Sequence, residues 1–407
     1  MIHHGNLFDV LPTLEAESVD ACVTDPPYDL TSGKRGGTGA ASLNLDSPAG
    51  RSRISTGGGF MGKEWDATGV AFNIETWRQV LRVLKPGGYL LAFGGTRTSH
   101  RMVCAIEDSG FEIRDSLSWM FGSGFPKSLN LGNGRGTALK PAYEPICMAR
   151  KPLRGTVAAN VARYGTGAIN VDACRIGLGG EEPPTGSGDR RGSLVYAQDR
   201  WTQEEMANGG NTTSSLGRWP ANVILDPVSA AMLDEQTGEL VSGANPTRRS
   251  SDKFRDAYGE FKGQTECFAA RGVDVGGASR FYYVAKPSRE ERDYGCEGLR
   301  QRSGGEATDR TDGSAGVNSP RAGAGRTGGS RNVHPTVKPV ELMRWLVKLV
   351  TPLDGLVLDP FTGSGTTGMA CRYELRRFIG IERDAEYVRI AEARIAAVAP
   401  LFGEAAV

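Results

Sequence analysis

No pair of cysteines in the 407-residue chain has the Cys-x-x-Cys spacing of a metal or redox motif. The seven cysteines are scattered singly, at positions 22, 104, 147, 174, 267, 296 and 371. An odd, unspaced set in a long chain argues against a disulfide framework and against a structural zinc site, and it favours a reducing compartment. We therefore expect no bound metal.

Long apolar runs are also missing. The first residues, Met1 to Asn6, contain no hydrophobic signal core. No stretch of the sequence approaches the roughly 20 apolar residues that a membrane-spanning helix needs. The sequence therefore predicts a protein without a membrane partner that is retained inside the cell.

An excess of basic residues is absent as well, since 48 lysines and arginines face 47 acidic residues and the formal net charge is +1. Binding to nucleic acid would have to come from local patches. Glycine is abundant instead: its 56 copies are about twice the usual share, and they are not periodic, which excludes collagen and indicates long loops. The length allows one large or two modest domains.

Apolar periodicity alternates between strand and helix patterns at both ends of the chain. It predicts an α/β fold with a doubly wound sheet. The predicted strands are 19–24, Tyr89–Phe93, Phe111–Trp119, Glu144–Arg150, Leu356–Asp359 and Phe378–Glu382. The predicted helices are 72–84, Thr98–Asp108, Val340–Val350, 366–373 and Ala385–Val398, and Lys85-Pro86-Gly87-Gly88 is predicted to end the first of them.

The middle of the chain has a different composition. Residues 151–331 are rich in Gly, Arg, Ser, Asn and Pro, and we predict an insertion there between an N-terminal part, 1–150, and a C-terminal part, 332–407. Within the insertion, 303–330 is low-complexity and predicted to be disordered. Composition alone fits either an ordinary loop-rich insertion or a phosphate-contacting surface that nucleic acid orders.

The tetrapeptide Asp25-Pro26-Pro27-Tyr28 ends the first well-defined strand. Two prolines fix two φ angles and remove two backbone donors, so the chain leaves the sheet as a stiff loop. The loop has an acceptor at one end and an aromatic face at the other, which suits a planar amine. A simple strand-ending turn is the alternative. The following segment, Thr31–Gly59, is predicted to be a mobile loop or lid.

A second motif has the order strand, glycine turn, helix and strand ending in an acid. Gly363 and Gly365 permit a tight turn, and Glu382 follows about twenty residues later, where a carboxylate can accept ribose hydroxyls. The turn lacks the third glycine of the dinucleotide fingerprint. A cofactor without a pyrophosphate, such as S-adenosylmethionine, fits such a turn.

These residues carry a resemblance to the DNA amino-methyltransferases. The tetrapeptide at 25–28 resembles motif IV, Phe361-Thr362-Gly363-Ser364-Gly365 resembles motif I, and His334-Pro335-Thr336-Val337-Lys338-Pro339 resembles motif X. Their order is similar to the permuted β group, in which the insertion is the target-recognition domain. One departure is Gly5-Asn6, where many members have Gly-Asp; Asp9 lies close by in the sequence.

The resemblance implies methyl transfer from S-adenosylmethionine to an exocyclic amine of a flipped base in duplex DNA, without a covalent enzyme intermediate. The implied catalytic residues are Asp25, Pro26, Pro27 and Tyr28. The implied cofactor-binding residues are Thr336, Lys338, Asp359, Phe361, Gly363, Gly365 and Glu382. The predicted DNA contacts are Lys286, Arg289, Arg321 and Arg326.

The target base stays open between adenine N6 and cytosine N4. In the family, Asp at the first position of motif IV accompanies adenine more often, which favours adenine. Methylation at cytosine carbon 5 needs a cysteine in a Pro-Cys pair, and this sequence has none. A cognate restriction endonuclease and a homodimer are further partners that the resemblance allows.

Two other classes of protein compete with this interpretation. A nicotinamide-dependent oxidoreductase would explain the glycine turn but not the Pro-Pro loop, and it would need the third glycine. A non-catalytic DNA-binding protein on a methyltransferase scaffold would not need both halves of the site, although both are present.

Overall fold

Strands and helices alternate through both ends of the chain in the computed structural model. The structure describes residues 1–29, 68–124, 130–178, 217–242, 274–285, 290–308 and 329–398. The strands are β1 (Ile2–His4), β2 (Val19–Thr24), β3 (Leu84–Phe93), β4 (Glu112–Met120), β5 (Asn130–Gly132), β6 (Arg135–Gly136), β7 (Tyr143–Arg150), β8 (Val223–Leu225), β9 (Leu240–Ser242), β10 (Asp274–Gly276), β11 (Tyr283–Val284), β12 (Leu356–Asp359) and β13 (Arg377–Glu382).

The helices match the predicted ones closely at both ends of the chain. They are α1 (Leu7–Val10), α2 (Ile74–Val83), α3 (Ser99–Asp108), α4 (Val157–Tyr164), α5 (Pro227–Thr237), α6 (Gly304–Thr308), α7 (Val340–Val350), α8 (Thr366–Tyr373) and α9 (Ala385–Ala397). Short 3-10 turns occur at Leu11–Thr13, Val70–Phe72, Asp172–Cys174, Ala278–Phe281 and Glu290–Arg292. Over the described residues, no helix has both the length and the apolar character required to cross a membrane.

Within the described part of the chain, nine strands form one mixed sheet in the order β1-β13-β12-β2-β3-β7-β4-β8-β11. The first five of these are parallel to one another. Strand β7 is antiparallel to both β3 and β4, and β8 is parallel to β4. The predicted α/β fold is therefore confirmed.

The two sequence motifs meet because their strands are neighbours. Strand β12 pairs in parallel with β2, with Val357 opposite Ala21 and Leu358 opposite Cys22. The carboxyl ends of parallel strands lie at the same edge of a sheet, so residue 25 and residue 359 emerge side by side. The pairing brings together segments that are more than three hundred positions apart in the sequence.

The chain divides into two compact units. The first consists of Met1–Ala173, Asn222–Val228 and Val284–Val407, and the second of Cys174–Ala221 and Ser229–Tyr283. The predicted boundaries at 151 and 331 differ from this division. Helix α4 and strand β8 belong to the first unit, because α4 packs against β3 and β8 pairs with β4.

The second unit is held together by short elements and side chains. Strands β9 and β10 pair antiparallel, and Ile176 forms an isolated bridge with Arg218. Asp234 accepts hydrogen bonds from the backbone N–H and the hydroxyl of Ser279, at 2.7 and 2.6 Å. The Arg280 guanidinium lies 4.3 Å from the ring centre of Phe281.

Helix α2 ends at Val83, just before Lys85-Pro86-Gly87-Gly88 as predicted, but these four residues also belong to β3, which was predicted to begin only at Tyr89. The strand begins directly after α2, with Leu84 opposite Val19, and the register then shifts between Val19 and Ala21. The Gly87 N–H donates to the Lys151 carbonyl at 3.1 Å. The register shift accommodates residues 85–88 between the paired Leu84 and Tyr89, so the segment stays in the sheet.

Both ends of the stretch 303–330, predicted to be disordered, have defined elements or contacts in the structure. Its start contains the short helix α6. At its end, Ser330 forms an isolated bridge with Arg302 and donates its hydroxyl hydrogen to Asp293 at 3.0 Å. Residues 309–328 lie outside the described residues, as does the predicted mobile loop at 31–59.

Helix α2 contributes one of the largest buried side chains among the described residues, that of Trp77. Asn73 caps its first turn by accepting from the Glu75 N–H at 3.0 Å. Trp77, on the buried face, is fully buried and donates its indole N–H to the Ala71 carbonyl at 2.8 Å. Its ring lies 6.5 Å from that of Phe361, so the core continues into the glycine turn.

We expect Trp77→Ala to lower the free energy of unfolding by about 3–5 kcal/mol, because it removes a large buried ring and an internal hydrogen bond. Urea denaturation followed by circular dichroism measures this change. Leu139→Ala is the control, since Leu139 is 92% exposed and its replacement should change stability by less than about 0.5 kcal/mol. Equal effects of the two substitutions would contradict the assigned core.

Candidate functional site

A cavity of about 690 Å³ lies at the edge of the sheet where β2 and β12 end. Its wall is built from the tetrapeptide, the glycine turn and the 334–338 segment. The residues proposed from the sequence that line it are Asp25, Pro26, Pro27, Tyr28, Thr336, Lys338, Asp359, Phe361, Gly363 and Glu382. Its volume is within the ordinary range for a small-molecule or cofactor site.

Four polar side chains form a connected cluster at the tetrapeptide. Lys338 donates from Nζ to Asp25 Oδ2 at 2.6 Å and to the Tyr28 hydroxyl at 3.2 Å, and it lies 3.3 Å from Glu144 Oε2. The Tyr28 hydroxyl contacts Asp25 Oδ1 at 2.9 Å and Glu144 Oε2 at 3.1 Å. We call Asp25, Tyr28, Glu144 and Lys338 the tetrapeptide cluster.

The charge on Lys338 is maintained by the two carboxylates. Burial by itself would lower the pKa of this amine, but Asp25 and Glu144 outweigh it and raise the pKa above its ordinary value. The ammonium also lies 4.8 Å from the ring centre of Phe93 and 5.4 Å from that of Tyr28. Lys338 therefore remains a cation inside the cavity wall.

Tyr28 is held at both its backbone and its hydroxyl. Its carbonyl accepts the hydroxyl hydrogen of Thr98 at 2.8 Å, and burial together with Asp25 and Glu144 raises the pKa of the phenol well above its usual range. The phenol is consequently neutral at physiological pH. Its ring position is fixed before any ligand arrives.

Asp359 joins three elements at the end of β12. Its Oδ1 accepts from the Thr24 hydroxyl at 2.6 Å and from the Phe361 N–H at 3.1 Å, and its Oδ2 accepts from the Thr367 hydroxyl at 2.6 Å. Burial raises the pKa of this carboxyl to about 6. These bonds connect the end of β2 to the glycine turn and to α8. Asp359 therefore fixes the three elements relative to one another.

The glycine turn needs its glycines for backbone shape and for space. Gly363 and Gly365 have φ values of +51° and +80°. A Cβ at Gly363 would lie 2.8 Å from the His334 ring, and one at Gly365 would lie 2.8 Å from Ala391 in α9. Arg394 of α9 donates to the Ser364 carbonyl at 2.6 Å and supports the turn from behind.

Glu382 lies at the end of β13, beside the glycine turn. Its two oxygens accept from the Gly363 N–H and from the Asp384 N–H, each at 2.8 Å. Burial raises the pKa of this carboxyl. Each oxygen keeps a further lone pair, so the carboxylate can still accept hydroxyl hydrogen bonds.

His334 is a wall residue that the sequence did not single out. Its Nδ1 lies 2.5 Å from the Thr336 carbonyl, and its ring packs edge-on against Tyr387 at 4.6 Å. The Nδ1 contact is a hydrogen bond to an acceptor, so Nδ1 carries the hydrogen. Burial lowers the pKa of the imidazole to about 4. Its place within the motif X pattern was the sequence signal that could have identified it as a wall residue.

Glu144 and Asn6 are two further wall residues that sequence reasoning did not assign to the site. Glu144 was predicted only as the start of a strand, and the pairing of β7 with β4 places it in the tetrapeptide cluster. Asn6 lines the cavity and also caps α1 by accepting from the Phe8 N–H at 3.0 Å. Asp9, the alternative to Asn6, lies in α1 and is not among the wall residues.

The remaining site predictions stay untested by the geometry. Gly365 belongs to the glycine turn but is not itself a wall residue of the cavity. The four predicted DNA contacts, Lys286, Arg289, Arg321 and Arg326, all lie outside the described residues.

A model of the DNA methylase family, N6_N4_Mtase, matches residues 19–393. The chain belongs to the DNA methylase family. The match spans the tetrapeptide, the insertion, the 334–339 segment and the glycine turn, which confirms the resemblance that the three motifs indicated.

Curated relatives of this methylase match a short segment only. The Type II methyltransferase M2.DpnII of Streptococcus pneumoniae is 45% identical over 64 residues, which are 16% of this chain and 24% of that protein. The Type II methyltransferase M2.MboI of Moraxella bovis is 41% identical over 68 residues, 17% of this chain and 25% of that protein. The chain thus spans about a quarter of the length of these relatives.

Among solved structures, the PvuII DNA methyltransferase, described as cytosine-N4-specific, is similar to this methylase. The similarity covers 100% of this chain and 87% of that chain, at 14% sequence identity and a TM-score of 0.45.

We expect the stability of the protein to fall in acid partly because of His334. The pKa of its imidazole is about 4 in the folded protein against an ordinary value of 6.5. Unfolding therefore takes up a proton below pH 6.5, so this contribution is complete above that pH and is lost as the pH falls toward 4. Between pH 7 and pH 5 the loss should be about 2 kcal/mol.

Denaturation midpoints at the two pH values, for the native protein and for His334→Gln, measure this contribution. The substitution should remove about 2 kcal/mol of the pH dependence, because glutamine does not titrate. An identical pH dependence in both proteins would contradict the assignment.

Proposed function

We propose that this methylase transfers a methyl group from S-adenosylmethionine to the exocyclic N6 amine of adenine in duplex DNA, by direct attack on a flipped base. The observation that carries the proposal is the shared cavity. The tetrapeptide after β2 and the glycine turn after β12 line one space at the same edge of the sheet. A nucleophile and a methyl donor held there would be adjacent.

The cofactor half of the cavity suits a nucleoside. Glu382 supplies a carboxylate, already oriented by two backbone amides, for ribose hydroxyls. Phe361 supplies an aromatic surface for the adenine ring, and Gly363 leaves the turn without a side chain. In this proposal Thr336 contributes further wall contacts, and Asp359 and Gly365 fix the turn.

The base half of the cavity suits an exocyclic amine. Its lone pair is delocalised into the ring, so the amine is a poor nucleophile until its hydrogens are held out of that plane. Asp25 and the Pro26 carbonyl supply two acceptors on a loop that Pro26 and Pro27 make rigid. Tyr28, whose ring is already fixed by its hydrogen bonds, would stack on the flipped base.

The reaction needs alignment and charge stabilisation from the protein and no covalent intermediate. S-adenosylmethionine supplies a methyl group on a positively charged sulfur. A bond forms between the amine nitrogen and the methyl carbon while the carbon–sulfur bond breaks, with its electron pair remaining on sulfur. The nitrogen then carries one proton too many, and the Asp25 carboxylate is the adjacent group that can accept it.

The described thiols support amine chemistry over carbon 5 chemistry. Cys22 lies in the strand that leads to Asp25, and Cys147 lies in the strand that begins beside Glu144; both are buried. Burial raises the pKa of Cys22 well above its ordinary value and that of Cys147 to about 12. A nucleophilic cysteine needs the thiolate, and neither thiol forms it readily.

The preference for adenine rests on Asp25 at the first position of the tetrapeptide. Cytosine N4 offers the same two hydrogens to the same two acceptors, so the product of the reaction decides between them. The proposal places the enzyme in the prokaryotic cytoplasm, together with the DNA that it would methylate. A cognate restriction endonuclease and a homodimer are part of the proposal as partners of this enzyme.

We expect tritium from labelled S-adenosylmethionine to enter duplex DNA when the full-length protein is present. Digestion to deoxynucleosides should then release the label as N6-methyl-2′-deoxyadenosine. Label in N4-methyl-2′-deoxycytidine would replace adenine by cytosine in the proposal. Tight DNA binding without any transfer would favour the non-catalytic DNA-binding protein instead.

We expect Asp25→Asn to reduce transfer at least about 100-fold, because the amide is a weaker acceptor and cannot take the proton. Calorimetry should show S-adenosylmethionine binding within about twofold of the native protein. Glu382→Ala is the reciprocal control, expected to weaken cofactor binding about tenfold or more through lost ribose hydrogen bonds. Near-normal transfer by Asp25→Asn would contradict the proposed mechanism.

A further inference from the structure

Glu144 is the carboxylate of the tetrapeptide cluster that neither holds the amine nor takes its proton in the proposed reaction. Glu144 Oε2 lies 3.3 Å from Lys338 Nζ and 3.1 Å from the Tyr28 hydroxyl. The same two groups contact Asp25, at 2.6 Å from Lys338 and at 2.9 Å from Tyr28. Asp25 and Glu144 therefore share one ammonium and one phenol.

The sheet, and not a loop, sets the position of Glu144. Strand β7 is inserted antiparallel between β3 and β4, so its first residues lie at the edge where those two strands end. Glu144 stands directly opposite Trp119, and both line the cavity. A group held by a central strand keeps its geometry better than one held by a loop.

We propose that Glu144 is a positioning residue for methyl transfer, acting on Asp25 through Lys338 and Tyr28. This inference rests on the proposed function and names a residue that the motifs do not contain. Without Glu144, the ammonium would pair with Asp25 alone and reduce the strength of that carboxylate as an acceptor. With Glu144, the ammonium is divided between two carboxylates.

The charge of the cluster supports this role. Two carboxylates and one ammonium give a net charge of −1, since the phenol of Tyr28 is neutral. Methyl transfer moves positive charge onto the amine that Asp25 holds. A net negative cluster beside that amine stabilises the charge as it develops, whereas a neutral cluster would not.

Tyr28 gains a second constraint from the same carboxylate. Its hydroxyl lies within hydrogen-bonding distance of both Asp25 and Glu144, so rotation of the ring would break contacts on two sides. Stacking on a flipped base needs a ring that is already in place. Glu144 thus contributes to both the acceptor and the stacking surface.

The test compares Glu144→Gln with the native protein in single-turnover methyl transfer. The substrate is a duplex that contains the target site of the native enzyme in unmethylated form. We expect the rate to fall roughly 10- to 100-fold, because the isosteric amide removes one negative charge. The dissociation constants for S-adenosylmethionine and for the duplex should stay within about twofold. Glu144→Asp, which keeps the charge, should recover most of the rate.

A double-mutant cycle shows whether Glu144 acts through Lys338. In the Lys338→Met background there is no ammonium to divide, so the rate loss from Glu144→Gln should be several-fold smaller than in the native background, leaving only the part that comes from its own charge and from its contact with Tyr28. The same 10- to 100-fold loss in both backgrounds would overturn the inference. So would a fall in the thermal midpoint together with weaker binding of both ligands, since that pattern belongs to a purely structural ion pair.

Failure of this inference is distinguishable from failure of the proposed function. If the native protein transfers no methyl group, the proposed function fails and the inference fails with it. If the native protein transfers methyl groups and Glu144→Gln does so at a near-normal rate, the inference alone is overturned.

Discussion

The parallel pairing of β2 with β12 is the contact on which the rest of the site depends. It places the end of a strand near the start of the chain beside the end of a strand near its close. Asp359 makes the junction rigid, because one carboxylate accepts hydroxyl hydrogens from Thr24 of β2 and Thr367 of α8. Losing this junction would separate the tetrapeptide from the glycine turn, although each would keep its local shape.

Because the junction is rigid, the glycine turn and the tetrapeptide can each be shaped for a different ligand. The glycine turn, with Glu382 locked by two backbone amides, is prepared for a nucleoside. The tetrapeptide, with its hydroxyl and carboxylate already engaged by Lys338, is prepared for an amine. In the proposed function each half therefore binds its ligand with little rearrangement, which lowers the cost of bringing two substrates together.

Features carried by local sequence could be predicted well. The Pro-Pro loop, the glycine turn and the helix Val340–Val350 depend on residues that are adjacent in the chain, and the structure has them where the patterns indicated. The extension of β3 through 85–88 could not be predicted in this way, because Pro and Gly interrupt a strand pattern locally while the register shift against β2 keeps them in the sheet.

Contacts between residues far apart in the sequence could not be predicted either. Glu144 starts a strand like many others, and only the antiparallel insertion of β7 brings it beside Tyr28 and Lys338. Lys338 was assigned from motif X to the cofactor, yet its ammonium contacts Asp25 of the tetrapeptide. Local composition predicts neither contact, since each joins segments separated by more than one hundred residues.

The most direct test of the account is a crystal structure of the full-length protein with duplex DNA and a cofactor analogue that lacks the methyl group. The account predicts a flipped base whose exocyclic nitrogen lies about 2.7–3.2 Å from Asp25, with the ribose of the analogue on Glu382. A base that remains stacked in the duplex, or an analogue bound away from the glycine turn, would contradict it.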